Sequence, residues 1–245
     1  MKDPIAEFKE ERINRIEKQG NDDGIKKSSS KLMLDSINTG YSYNFSWMGR
    51  PVIQYPQDIV AMQEIIWDVK PDLIIETGIA HGGSLIMYAS FLELIGHGEV
   101  LGIDIDIREH NKKEIEKHPM SKRITMIQGS SIDRDIVSRV KEFAQGKSKV
   151  MVVLDSNHTH DHVKQELDLY FDFVTKDSYL VVFDTVVEDL PNDVYVDRPW
   201  GKGDNPKTAV WEFLKENNDF EIDKSIDGKL LITVAPDGYL KRVKS

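Results

Sequence analysis

Four acidic side chains each stand directly after a short apolar run. Glu76 follows residues 73–75, Asp104 follows 100–103, Asp155 follows 150–154 and Asp184 follows 179–183. A fifth run, 124–127, leads into Gln128-Gly129-Ser130-Ser131. Glu76 opens a glycine-rich stretch, Glu76-Thr-Gly-Ile-Ala-His-Gly-Gly-Ser84, whose glycines at 78, 82 and 83 let the backbone turn tightly and approach a ligand. The spacing is neither the dinucleotide G-x-G-x-x-G nor a phosphate-binding P-loop. A carboxylate at Glu76 also disfavours a pyrophosphate and suits a cationic ligand. Asp104 stands where an acidic residue usually accepts both ribose hydroxyls. Neighbouring parallel strands lie about 4.8 Å apart, so carboxylates at Asp155 and Asp184 can share one hard cation. Left bare, such a pair repels and drives one member to protonate. His158, three positions after Asp155, carries an imidazole, a group able to accept a hydroxyl proton at neutral pH.

These residues need a scaffold that gathers strand ends at one edge. Helical periodicity over 58–69, with Ile59, Met62, Ile65, Ile66 and Val69 on one face, begins an alternation of helices and short strands. Strands are expected at 73–75, 100–103, 124–127, 150–154 and 179–183. Helices are expected at 84–95, 112–117, 132–144, 161–174 and 207–216. Residues 220–222 and 229–234, around Asp227-Gly228, read as an antiparallel pair. The pattern predicts an α/β fold, a mostly parallel sheet with helices on both faces. In such sheets ligands bind beyond the carboxyl ends of the strands, where the acids stand. Residues 1–50 read as an extension: a surface helix over 5–19, a polar link over 19–30, a helix over 31–38, and an aromatic run Tyr41, Tyr43, Phe45, Trp47. That run reads as an edge strand or covering segment, with a lid or subunit contact as the other reading. Residues 186–205 read as a long loop, of the kind that serves as a lid.

Composition narrows the choices. Within 245 residues, 42 acidic against 32 basic side chains leave a formal charge of −10, which repels a phosphate backbone and argues against nucleic acid. No cysteine is present, so disulfides, thiolate metal sites and a cysteine nucleophile are excluded. No run approaches the ~18 apolar residues of a membrane span. The charged start from Met1 to Arg12 does not read as a secretory signal, and a cytoplasmic protein is expected.

The combined order of ETGIAHGGS and GIDID resembles class I S-adenosylmethionine-dependent methyltransferases. More narrowly, WMGRPVIQYPQD (47–58), VVLDSNHTHDHV (152–163), SYLVVFDT (178–185) and GKGDNPKTAVWEFL (201–214) resemble the cephalosporin hydroxylase / rhamnosyl O-methyltransferase family. The resemblance implies a Rossmann-like, seven-stranded domain over 51–245 and S-adenosylmethionine as cofactor. It places the methionine end on Glu76, Gly78, His81, Gly82, Gly83 and Ser84, with Asp155 beside it. Asp104 would take the ribose, and Gly129, Ser130 and Ser131 would flank the adenine. It implies Mg²⁺ on Asp155 and Asp184, and a general-base role for His158, since related metal-dependent sugar methyltransferases carry a histidine at that offset. The family often has Glu-Asp where this chain has Phe183-Asp184, so a ligand is expected from Glu188 or Asp189. Tyr195 and Trp200 are candidates to stack on a sugar.

The resulting expectation is a Mg²⁺-assisted O-methyltransferase acting on a sugar hydroxyl, assembled as a homo-oligomer. An accessory partner protein of a hydroxylation or methylation system is the alternative. A non-haem iron hydroxylase lacks the two-histidine, one-carboxylate set, and the glycine spacing argues against a nicotinamide dehydrogenase.

Overall fold

A computed structural model describes residues 3–244. Two helices, α1 (Pro4–Gly20) and α2 (Asp23–Asn38), lead into a small antiparallel hairpin, β1 (Phe45–Trp47) and β2 (Arg50–Val52). Then α3 (Pro56–Val69), β3 (Leu73–Thr77), α4 (Gly83–Ile95), β4 (Glu99–Asp104), α5 (Glu109–Lys117) and β5 (Ile124–Gln128) follow. The second half adds α6 (Arg134–Ala144), β6 (Val150–Leu154), α7 (His160–Tyr170), β7 (Tyr179–Val182), α8 (Pro206–Glu216), β8 (Phe220–Ile222), α9 (Lys224–Leu230) and β9 (Tyr239–Arg242). The main sheet has the order β5-β4-β3-β6-β7-β9-β8. Its first five strands are parallel, and β9 runs antiparallel to both β7 and β8. This is the mostly parallel seven-stranded sheet that the resemblance implies.

The strands are continuous apolar runs because both faces are covered. Side chains alternate along them. Ile74, Met151 and Val153 pack on one face with α3, α4 and α9, while Leu73, Ile75, Val152 and Leu154 pack on the other with α6, α7 and α8. The order reverses at β3, which has β4 on one side and β6 on the other. Glu76 therefore lies beside Gly102 of β4 and Val153 of β6, at the crevice where such sheets bind ligands.

Two local expectations are corrected and a third is refined. The polar link over 19–30 is mostly helix, because Asp22 caps α2 by accepting from Ile25 N and each serine donates back to the carbonyl four residues earlier. The strand expected at 229–234 does not form: its first two residues end α9, which is capped by Asp223 and buries Ile226 and Leu230, and 231–234 continue as irregular chain. The partner of β8 is β9. The aromatic run forms a one-turn helix, Tyr41–Asn44, and the β1–β2 hairpin. Its reading as a covering segment holds, since Trp47 Nε1 donates to Ser90 Oγ of α4 at 2.9 Å. The boundary expected at residue 50 runs through this hairpin.

Candidate active site

The loop after β3 is shaped by close backbone approach. A Cβ at Gly78, where φ is +92°, would lie 2.0 Å from the Asp155 carbonyl oxygen. A Cβ at Gly83 would lie 2.0 Å from the carbonyl oxygen of Pro51, so the hairpin is strapped directly across the loop. Arg50 tightens the strap, its Nη2 donating to the His81 carbonyl at 2.6 Å and to Asn111 Oδ1 at 3.0 Å. From the opposite side, Asp104 Oδ2 accepts from Ile79 N at 2.8 Å and Ala80 N at 3.2 Å. Its Oδ1 accepts from Asp106 N at 2.9 Å. Asp104 thereby fixes the loop's shape.

Glu76 has a different setting. It is wholly buried beneath the loop, and Ser84 Oγ donates to its Oε2 at 2.7 Å. Burial, opposed by the hydrogen bonds of Ser84 and of the nearby Tyr88 hydroxyl and reinforced by the charge of Asp104, pushes its carboxyl up to about 8.

Beyond β6 and β7, Asp155, His158 and Asp184 each bring one donor atom to within 4.8 Å of the others. His158 Nε2 lies 3.2 Å from Asp184 Oδ2, and its ring meets Trp200 edge-on with centroids 4.8 Å apart. Burial and then the neighbouring charge of Asp184 hold the Asp155 carboxyl well above the usual carboxylate range. Two carboxylates crowded beside an imidazole fit a divalent cation, which would relieve their repulsion. The expected replacement ligand does not come from the following loop. Glu188 Oε2 accepts from Gly203 N and Asn205 Nδ2, and Asp189 pairs with Lys207 at 2.7 Å. Phe183 turns into the core against Tyr239, and the third donor near the carboxylates is His158.

Two cavities meet at this edge. The larger, about 760 Å³, is lined by Gly78, His81, Gly83, Ser84, Asp155, His158 and Asp184 among others. The smaller, about 170 Å³, is lined by Asp104, Ser130 and Ser131 together with His162. Gly78 and Ser156 line both, so the two are neighbours across the loop. Gly82 and Gly129 line neither; a Cβ there would strike Ile115 and Ile136, so they serve packing. His160 is spent on α8, its Nδ1 2.8 Å from Thr208 Oγ1. His162 Nε2 sits 3.2 Å from Ser131 Oγ and 3.3 Å from Ser156 Oγ, at the wall of the smaller cavity. Tyr195 and Trp200 line the larger cavity, as do Asn38, Ser42 and Tyr43 of the N-terminal extension. Tyr43 belongs to the aromatic run read as a covering segment or lid, whereas Asn38 and Ser42 drew no functional reading, because short polar residues carry no chemical spacing. Gln54, 4% exposed, was missed for the same reason: it stands alone in the run Pro51-Val-Ile-Gln-Tyr-Pro56.

Comparison with known proteins identifies a family. Residues 39–243 match the family described as Rhamnosyl O-methyltransferase/CmcI. The chain is 29% identical over 224 residues to the rhamnosyl O-methyltransferase of Mycobacterium tuberculosis (strain ATCC 25618 / H37Rv), covering 87% of this chain and 86% of that one. It is 28% identical over 200 residues to the Mycobacterium leprae (strain TN) protein of the same name, covering 80% and 82%. Among solved structures, the CmcI-N160 apo-structure aligns with a TM-score of 0.59 and 19% identity, over 83% of this chain and 78% of that one. The cmcI-D160 Mg-SAM structure aligns with a TM-score of 0.58 and 19% identity, over 82% and 77%. The structural likenesses are likenesses of fold.

Proposed function

The chain belongs to the Rhamnosyl O-methyltransferase/CmcI family, and we propose that it transfers the methyl group of S-adenosylmethionine to a hydroxyl of a sugar or glycosylated acceptor. One observation carries this reading. The Asp155, His158 and Asp184 donors open onto the same cavity as the glycine loop after β3. The curated relatives, named rhamnosyl O-methyltransferases, support a sugar acceptor, and the Mg-SAM form of a fold relative supports the cofactor and the ion.

In this reading the methionine end of the cofactor lies on Gly78, His81, Gly83 and Ser84, above the acceptor oxygens of Glu76. The ribose and adenine extend toward Asp104, Ser130 and Ser131 in the smaller cavity. Asp155 and Asp184 would hold Mg²⁺, which when bound lowers the pKa of an acceptor hydroxyl. His158, whose Nε2 lies 3.2 Å from Asp184 Oδ2, would take the acceptor's proton. The acceptor oxygen then bonds to the methyl carbon as the carbon–sulfur bond breaks, leaving S-adenosylhomocysteine. Tyr43, Tyr195 and Trp200 wall the cavity with rings on which a sugar can stack. The same reading includes a cytoplasmic homo-oligomer, for which α1, exposing Ile5, Phe8 and Ile13, is the available apolar arm; light scattering showing a monomer at micromolar concentration would remove that element.

Calorimetry with S-adenosylhomocysteine and with NAD⁺ tests the cofactor. Micromolar binding of the first and none of the second is expected. Chelation should abolish methyl transfer to a rhamnosyl acceptor, with Mg²⁺ restoring it. A chain that binds neither nucleotide returns the accessory-protein alternative, and full turnover after exhaustive chelation rejects the ion.

A further inference from the structure

Gln54 reaches the site from the hairpin side and has no role in the reading above. It lies two residues past β2, is 4% exposed, and lines the larger cavity. Its Nε2 donates to Asp155 Oδ2 at 3.4 Å, while its Oε1 is buried with no partner among the described residues. Glu76, wholly buried beneath the loop, is close enough for its charge to act on Asp155. One unpartnered acceptor oxygen therefore stands at a cavity wall where buried carboxyl groups are gathered.

A buried polar atom in a folded protein normally has its partner. The missing partner here must donate a hydrogen bond and tolerate, or need, negative surroundings. A carboxylate or phosphate would be repelled. A sugar hydroxyl donates but carries no charge. Within S-adenosylmethionine, the α-ammonium of the methionine portion has three N–H donors and a full positive charge, as a lysine head group does. The hairpin is built to hold Gln54 in place. Pro51 presses its carbonyl against Gly83, Arg50 bonds the His81 carbonyl, and Tyr55, next in the chain, is 2% exposed with its hydroxyl 2.7 Å from Ser36 Oγ.

We propose that Gln54 is a cofactor-binding residue whose Oε1 accepts a hydrogen bond from the α-ammonium of S-adenosylmethionine, carried to that point by the β1–β2 strap. The inference rests on the cofactor reading above. It also explains why an extension outside the main sheet is clamped so tightly over the glycine loop: it completes the methionine end of the pocket.

The test compares S-adenosylhomocysteine with 5′-methylthioadenosine, which lacks the amino-acid portion. Both are titrated by calorimetry into the full chain and into Gln54→Leu, whose fold is checked by its thermal melt. A hydrogen bond to a charged group predicts a loss of roughly ten- to hundredfold for S-adenosylhomocysteine. Affinity for 5′-methylthioadenosine should stay within about twofold, which RT scaling makes a small change. Equal affinity of both proteins for S-adenosylhomocysteine overturns the proposal. So does equal weakening of both ligands, which would mark a structural role. Loss of Mn²⁺ binding with unchanged S-adenosylhomocysteine affinity overturns it in favour of a cation-binding role. If the unaltered chain binds neither nucleoside, the cofactor reading itself falls, a result distinguishable from failure at Gln54 alone.

Discussion

Glu76 and Asp104 end neighbouring parallel strands, and each is an acid meeting the same glycine loop. Their surroundings are opposite. Both oxygens of Asp104 already accept backbone N–H groups from the loop and its own turn. Glu76 is wholly buried and holds its proton up to about pH 8. The contrast divides the crevice into two ends. At the Asp104 end the protein supplies its own donors, and the carboxylate sets the shape of the cradle. Toward Glu76, Asp155 and Asp184 the protein supplies acceptors in excess, and positive charge must come from what binds. Chemistry on a sulfonium belongs at the second end.

The sharpest way to break this division is to alter the reactive end and read turnover against binding. His158→Ala should lower kcat by ~10²–10⁴-fold, the usual contribution of a general base, with S-adenosylhomocysteine affinity nearly unchanged. Normal turnover of this variant across pH 6–8 would move the base elsewhere and leave His158 as packing for Trp200.

Asp104→Ala probes the other end. It should weaken S-adenosylhomocysteine by at least about tenfold, about 1.4 kcal/mol, and weaken 5′-methylthioadenosine to the same degree, because both carry the ribose. That pattern differs from the one expected at Gln54. Part of the loss will come from the loop, since Ile79 N and Ala80 N lose their acceptor. Unchanged affinity for both ligands would sink the ribose assignment and confine Asp104 to shaping the loop.

The sheet was legible in the sequence because each buried strand is an uninterrupted apolar run closed by an acid or a glycine turn. Its site residues were legible because titratable side chains at strand ends must point into one crevice. Other features depended on contacts that no local pattern records. Ser28, Ser29 and Ser30 read as linker, yet each donates back into its own helix, and the helix is held by packing of Met33 on the core. The segment around Asp227-Gly228 carries a turn signature, but Asp223 caps it as a helix that α1 covers, with Gln19 Nε2 donating to the carbonyls of Gly228 and Lys229. Phe183 reads as a lost ligand. The structure shows it turned away from the site against Tyr239, while His158, assigned only as a base, stands beside both carboxylates. Gln54 was hidden because a lone amide in an apolar run is informative only once its neighbours are known.

The smallest expected effect concerns the proton on Glu76, and its sign follows from linkage. A carboxyl in the unfolded chain titrates near 4.5, while Glu76 in the folded chain is pushed up to about 8. Between those values the folded state holds one more proton than the unfolded state, so stability falls as pH rises through this window. The slope for one such group approaches about 1.4 kcal/mol per pH unit. Asp58 and Asp227, both raised to about 6 by burial, add to the fall only in the lower part of the range. Above pH 6 Glu76 remains, and Asp155, whose carboxyl is also raised, acts in the same direction. Glu76→Gln removes the first and leaves the second. Urea midpoints measured without ligand at pH 6, 7 and 8 should therefore fall less steeply in the variant than in the unaltered chain. Binding should show the converse: the α-ammonium of S-adenosylhomocysteine favours the ionised carboxylate, so its affinity should rise with pH over this range and flatten in Glu76→Gln. If both proteins lose stability in parallel from pH 6 to 8, the proton is not on Glu76, and the contrast with Asp104 reduces to one of burial alone.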